Sequence, residues 1–301
     1  MAGASGLLGT PLADRLRAAG HDVTRLVRRP ARASDEITWQ PTEGRLDPAA
    51  IAAADAVINL AGAGIGDKRW TARYKSVLRS SRVDSTGTIA RAIAQLPDGD
   101  RPRTLLQASA VGWYGDAGNR ELTEQEPAGD TFLAGLCRAW EAATRPAAEA
   151  GTRVVPMRTG LLLDPAGGLL KPLLLPFKLG AGTRIDAGRQ WMPWVALPDW
   201  LAAAEFLLER DDVTGPVNMV APHPVTNAEF TKALGRAVHR PALLMVPGAA
   251  LELALGEFAG EIRRSQRVIP AALDRAGFRF AYPDIDSALR NALGRESVAP
   301  R

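Results

Sequence analysis

Apolar runs rich in valine, isoleucine and leucine alternate with helix-patterned segments through the first half of the chain. Residues 7–19 place leucine and alanine at helical spacing and stop at Gly20, and 22–28 reads as the strand that follows. The same reading gives a buried strand at 56–60 (AVINL), a long helix over 71–95 and a strand at 104–108 (TLLQA). A helix over 132–150, stopped by Gly151, then leads to a strand at 153–157 (RVVPM). Strands buried on both faces and separated by helices are what a parallel sheet requires. The pattern therefore predicts an α/β fold built on a doubly wound, parallel Rossmann-type sheet with right-handed crossovers. Beyond about residue 160 it loosens into glycine- and proline-rich stretches, with shorter helices at 198–209 and 227–238 and short helices from 247 onward. Three units are expected: a sheet domain over 1–160, to which later segments contribute; a smaller lobe over 161–240, lying on the carboxyl edge of the sheet; and a small helical domain over 241–301.

Gly3-Ala4-Ser5-Gly6-Leu7-Leu8-Gly9 has the spacing GxxGxxG and opens into the first helix. Glycines at this spacing let the backbone turn tightly and approach a pyrophosphate, and they let the helix pack closely on the sheet. The phosphates then face free N–H groups at the positive end of a helix. About 20 residues on, where such folds read the adenosine ribose, stand Arg28 and Arg29 rather than a carboxylate. A guanidinium there forms a fork with a 2′-phosphate, which favours NADP(H) over NAD(H), and Arg28 is the better placed of the two. The small residues of Asn59-Leu60-Ala61-Gly62, ending a buried strand, leave room for a cofactor to cross the sheet edge. Only Met1 and Ala2 precede the glycine turn, so the first, central strand is expected to be truncated to a stub.

Composition narrows the picture. The 37 basic and 33 acidic residues are interspersed, so a net charge of +4 and a pI near 9.6 do not mark a nucleic-acid surface. One cysteine, Cys137, excludes an intrachain disulfide and a cysteine-based zinc site. The three histidines, His21, His223 and His239, form no metal-ligand or triad-like spacing, so no metal is expected. The most apolar stretch, 161–179, is interrupted by Asp164, Lys171, Lys178 and prolines, and no secretion signal is evident. The expectation is a cytoplasmic protein, monomer or homodimer, with a small-molecule substrate and neither nucleic-acid nor membrane partners.

Several further blocks run almost the length of the chain: INLAG at 58–62, SRVDST at 81–86, SAVGWYG at 109–115, FLAGLCRAWE at 132–141, MRTGLLL at 157–163, GRQWMPWVALPD at 188–199, GPVNMVAPHPV at 215–225, and SQRVIPAAL followed by AGF at 265–278. With the glycine turn they resemble the extended short-chain dehydrogenase/reductases, and more narrowly the atypical branch called NAD(P)-dependent epimerase/dehydratase-like or cell-division-inhibitor-like oxidoreductases. The resemblance implies that Gly3, Ser5, Gly6, Leu7 and Leu8 contact the pyrophosphate, Arg28 the 2′-phosphate, and Ala61 and Gly62 the adenosine and ribose. It further implies that Ser109 faces the nicotinamide, that Arg158, Thr159 and Gly160 border its far side, and that the C-terminal segment is the branch's small extra domain.

The departure from that family is equally informative. Its usual acid/base pair is a tyrosine followed four residues later by a lysine. Here the fourth residues after Tyr74, Tyr114 and Tyr282 are Leu78, Gly118 and Asp286, and the expected places hold Leu133 and Cys137. Any proton donor must come from elsewhere, with Ser109 and Tyr114 as candidates, although Ser109 stands five residues before Tyr114, one more than the usual turn. Cys137 is a further candidate from the neighbouring helix, or a small core residue. Arg189, Gln190 and Trp191, within a block that ends at Trp194, either clamp an anionic or ring-shaped substrate or pack the second lobe on the first. Gln266 and Arg267 carry the same two readings. Two functions stay open: an NADP(H)-dependent, epimerase-like oxidoreductase acting on a small carbonyl or sugar-like substrate, and a non-catalytic NADP(H)-binding sensor or scaffold.

Overall fold

A computed structural model describes residues 1–294, so the last residues of the unit expected over 241–301 lie outside the described residues. The main sheet is parallel throughout. Val217–Met219 lies beside Arg153–Thr159, then Thr104–Ala110, then Ala56–Asn59. On the far side of a central slot lies Arg25–Val27, paired with Glu36–Thr38. The stub expected at the N-terminus fills that slot: Ala2 bridges both Asn59 and Leu26. Its N–H donates to Ile58 O at 2.9 Å, its carbonyl accepts from Leu60 N at 3.0 Å, and Met1 O accepts from Leu26 N at 2.8 Å. Met1 and Ala2 together thus satisfy backbone groups on the inner edges of two strands that would otherwise be left unpaired. The strand order reverses at this slot, so ligands are expected at the carboxyl ends beside it.

Helices cover both faces, as the apolar strands demand. On one face Leu12 and Leu16 of Gly9–Ala18 pack with Trp200, Ala203 and Leu207 of Leu197–Glu209 onto Ile58, Leu106 and Met157. On the other, Ile89 and Ile93 of Ala72–Ala94 and Ala147 lie against Val57 and Leu105. The single helix expected over 132–150 is two, Phe132–Ala142 and Arg145–Glu149. Pro146 sits in the first turn of the second, where its missing N–H is tolerated, and cannot continue the first. The strands expected at 104–108 and 153–157 each run two residues further, and that extension carries Ser109 and Arg158 opposite one another.

The second lobe has its own core of Leu163, Phe177, Trp194, Phe230, Leu234 and Leu289. Trp194–Ala196 pairs with Leu161–Asp164, and Thr183–Ile185 with Leu244–Val246. The 217–219 strand returns from this lobe to the main sheet. Buried Asp199 holds the later chain by accepting from Ala281 N at 2.7 Å and Tyr282 N at 3.0 Å. The C-terminal region is threaded back as well. Arg267–Val268 pairs with Glu121–Leu122, and Gln266 donates to the carbonyls of Val111 and Gly115 at 3.1 and 2.9 Å. No helix among the described residues is long and apolar enough to cross a membrane.

Candidate functional site

The glycine turn sits directly on the end of the 56–59 strand. Gly3 has φ +73°, and a Cβ there would lie 2.7 Å from the Leu60 carbonyl carbon and 2.9 Å from Ala61 N. A Cβ on Gly9 would lie 2.1 Å from Gly3 O, so the helix can approach this closely only with glycine. Gly6 N closes the turn on Gly3 O at 3.1 Å. The helix begins at Gly9 rather than at residue 7, which leaves Leu7 and Leu8 ahead of it. The amides of Ser5, Leu7 and Leu8 have no partner among the described residues, and the helix's first turn carries no acidic residue. An open, positive helix end is a site for an anion. Leu7 also touches the second lobe, since a Cβ on Gly167 would lie 2.5 Å from its Cδ2.

The two arginines after the second strand have separated roles. Arg29 forks onto Glu36 at 2.7 and 2.6 Å, and Glu36 also accepts from Arg32 N at 2.8 Å. These bonds, Arg29's first, hold the Glu36 carboxyl down at about 2. Arg28 is exposed and makes no hydrogen bond or ion pair among the described residues. Its guanidinium is free for a ligand, whereas Arg29's is committed.

At the next strand end Asn59 ties the strand terminus to its neighbours. Its amide nitrogen donates to Thr86 Oγ1 at 3.1 Å and Gln107 Oε1 at 3.0 Å, and its Oδ1 accepts from Ala61 N at 3.1 Å. Beside it lies a residue that the sequence reading left without a role. Arg82, in the SRVDST block, is 7% exposed, and its guanidinium carbon stands 3.3 Å from where a Cβ on Gly62 would be. It donates to Leu78 O at 3.1 Å, lies 4.9 Å over the Trp140 ring, and leaves Nε without a partner. No carboxylate pairs with it among the described residues, and burial lowers its pKa. A buried guanidinium without an anion is costly, and Arg82 is in that state among the described residues. The signal available in sequence was an arginine on the buried face of an otherwise small, polar helix.

Ser109, Tyr114 and Arg158 are brought together, but inside the protein. Ser109, 3% exposed, donates to Glu141 Oε1 at 2.6 Å. Glu141 is forked by Arg158 at 2.9 and 3.0 Å. Arg158 also donates to Tyr114 Oη at 3.1 Å and to Glu124 O at 3.2 Å, and stacks 3.9 Å over Trp113. Tyr114 in turn donates to Asn218 Oδ1 at 2.6 Å, and burial pushes its phenol up to about 12. The resemblance puts Ser109 and Arg158 at the nicotinamide and makes Tyr114 a proton donor; in this structure each is engaged by other protein groups, as the burial of charged and polar atoms requires. Thr159 and Gly160 are likewise occupied. Thr159 Oγ1 accepts from Trp200 Nε1 at 3.1 Å, and a Cβ on Gly160 would lie 2.6 Å from Pro193 O. Leu133 packs on Gly112, and the buried Cys137 thiol, facing Ala110 O at 3.6 Å, is pushed up to about 12 by burial.

The block at 189–191 divides. Trp191 Nε1 donates to Asn119 Oδ1 at 2.6 Å, its N–H donates to Ser265 Oγ at 3.1 Å, and Arg267 lies 4.8 Å over its ring. Gln190 O accepts from Asn227 N at 2.9 Å. Trp191 thus links the second lobe to residues 119 and 265, Gln190 is tied within its own lobe, and Arg189 is exposed and unpaired among the described residues. No group of three or more His, Cys, Asp or Glu side chains able to hold a metal occurs among the described residues.

Residues 1–220 match the model of the NAD dependent epimerase/dehydratase family, and 246–292 match a domain of unknown function. The chain belongs to the NAD-dependent epimerase/dehydratase family. Within it, an epimerase family protein of Mycobacterium bovis is 47% identical over 98% of this chain and 97% of its own length. The human epimerase family protein SDR39U1 is 34% identical over 97% of this chain and 98% of its own. A crystal structure of that human epimerase-family protein with NADPH superposes with a TM-score of 0.88 at 32% identity, covering 98% of both chains. A nucleoside-diphosphate sugar epimerase from Corynebacterium glutamicum gives 0.81 at 35% identity, covering 99% of this chain and 58% of that one. More distant epimerases, such as a UDP-N-acetylglucosamine 4-epimerase from Bacillus cereus with a TM-score of 0.75 at 15% identity, share the fold.

Proposed function

We propose that this chain binds NADP(H) along the carboxyl edge of its sheet and does so without the tyrosine–lysine relay of sugar-nucleotide epimerases. The observation that carries this reading is a set of donors lacking protein partners: the amides of Ser5, Leu7 and Leu8, the free fork of Arg28, and the buried Nε of Arg82. The amides and Arg82 suit pyrophosphate oxygens, and Arg28 suits a 2′-phosphate. Gly3 and Gly9 let the turn lie against Leu60 and Ala61 and let the helix close on the turn, the tight approach that a dinucleotide-binding turn needs. When bound, the nicotinamide supplies hydride chemistry; the chain's own part is to bind and orient it. The human relative solved with NADPH supports the choice of dinucleotide.

The locked state of Ser109, Tyr114 and Cys137 argues against classical epimerase turnover. A second reading, NADP(H)-dependent oxidoreduction of a small carbonyl or sugar-like substrate, is favoured by the exposed, unpaired Arg189 beside Trp191. The experiment is a fluorescence titration of Arg28→Ala with NADPH and NADH. Loss of a charge-assisted hydrogen bond is expected to cost about 1.5–3 kcal/mol for NADPH and to leave NADH binding unchanged. Equal losses for both dinucleotides would remove Arg28 from the site.

A further inference from the structure

The loop between the 56–59 strand and the 72–94 helix leaves directly from the dinucleotide track. Leu60 and Ala61 touch the glycine turn, and Gly62 touches Arg82. The rest of the loop, Ala63 to Trp70, contains Gly64 and Gly66 and has few internal ties. Ala63 N donates to Ser81 Oγ at 3.1 Å, Trp70 Nε1 to Ile65 O at 2.9 Å, and Tyr74 Oη to Gly64 O. What covers it comes from the far end of the chain. Phe258 stacks 5.3 Å from the Trp70 ring, which meets Phe132 at 5.1 Å, and a Cβ on Gly66 would lie 3.7 Å from the Phe258 ring. Glu257 pairs with Lys75, and Gly256 lies against the Arg69 guanidinium, 3.0 Å from where its Cβ would be.

The other end of this segment has a different character. Both Gly248 and Arg263 are fixed to one residue, Asp186: Gly248 N donates at 2.7 Å and Arg263 Nε at 3.1 Å. Asp186 itself has φ +49°, a conformation that a non-glycine residue holds only when its surroundings impose it. Residues 248–263 are thus a closed strap, pinned at its base to a single strained residue of the second lobe and touching the first domain through its tip.

We propose that this strap is a latch on the dinucleotide loop, with Phe258 and Glu257 as positioning residues that hold loop 61–70 against bound NADP(H) and set its rate of release. The inference rests on the NADP(H) reading above for its ligand, but the latch itself can be observed without one. In hydrogen–deuterium exchange on the protein without nucleotide, Phe258→Ala is expected to accelerate exchange in 63–70 while leaving the main-sheet strands protected. In stopped-flow fluorescence, NADPH release is expected to be about tenfold faster, the scale of a lost aromatic contact. Phe258→Leu should recover part of the effect, and Glu257→Lys should be rescued by Lys75→Glu. Unchanged exchange in 63–70 would overturn the latch, as would unchanged NADPH release from a variant whose loop exchange has risen. Failure of the parent protein to bind NADPH would instead overturn the cofactor reading, leaving the exchange result to decide the latch.

Discussion

Replacing Glu141 by alanine is the sharpest test of the internal network, because it separates a structural charge pair from a catalytic one. The substitution strips Arg158, 2% exposed, of its counter-charge. Only neutral partners remain: Tyr114 Oη at 3.1 Å, Glu124 O at 3.2 Å and the Trp113 ring at 3.9 Å. An uncompensated buried charge costs about 3–5 kcal/mol, and the Ser109 hydroxyl loses its acceptor for about 1 kcal/mol more. The total of about 4–6 kcal/mol corresponds to a fall in Tm of roughly 6–10 °C for a chain of 301 residues. Arg158→Met, which strands the carboxylate, is expected to cost a similar amount. The double variant Glu141→Leu, Arg158→Met replaces both charges with apolar groups and is expected to fall well short of the sum, with a coupling of about 2–3 kcal/mol. Urea unfolding followed by tryptophan fluorescence supplies the cycle, and an NADPH titration of each folded variant supplies the control. Additive single effects, or an Arg158→Met protein of parental stability with weakened NADPH binding, would refute the reasoning and return Arg158 to the nicotinamide side.

Three further outcomes follow from the geometry. Gly9→Ala places a methyl group 2.1 Å from Gly3 O and 2.8 Å from Ala4 Cα, both backbone atoms; the turn must open, and NADPH affinity should fall at least tenfold in a fluorescence titration. The Glu36 carboxyl, drawn from 4.5 to about 2 chiefly by Arg29, lends stability that is present above pH 4.5 and is lost as pH falls toward 2; Glu36→Gln should flatten that limb of a Tm-against-pH curve, and an unaltered slope would assign it to other carboxylates. Cys137, buried and with its thiol pushed up to about 12, should resist alkylation by iodoacetamide at pH 8 until the protein unfolds, and rapid labelling of the native form would reopen it as a reactive group.

The glycine turn and the helix it opens were legible because their geometry is written in local spacing. Glycines at 3, 6 and 9 specify a turn wherever they occur in a strand-to-helix context, and Arg28 lies at a fixed remove from it. The partners of Ser109 and Tyr114 were not legible, for a geometric reason. Adjacent residues on a strand face opposite sides of the sheet, and sequence alone does not show that Ser109 faces Glu141 rather than the edge, nor that a glutamate 32 residues later is its acceptor. Arg82 was missed for a related reason: a charged residue on a long helix reads as solvated until the loop that buries it is placed. Trp191 and Gln266 were ambiguous between pocket and packing, and long-range pairing resolves them as links between segments more than 70 residues apart.

The threading of residues 265–268 into the turn after the 104–110 strand has a consequence for how the chain matures. The family match over 1–220 suggests a unit that could be cut out and studied alone, yet the carbonyls of Val111 and Gly115 and the edge of Glu121–Leu122 wait for Gln266, Arg267 and Val268. During synthesis the first two-thirds of the chain would leave the ribosome with that turn unsealed and with Leu122 and Val220 lacking their apolar neighbour Val268. The boundary of the family match and the boundary at which the polypeptide becomes a finished object are therefore different, and the nascent protein is most in need of protection from aggregation in the interval between them.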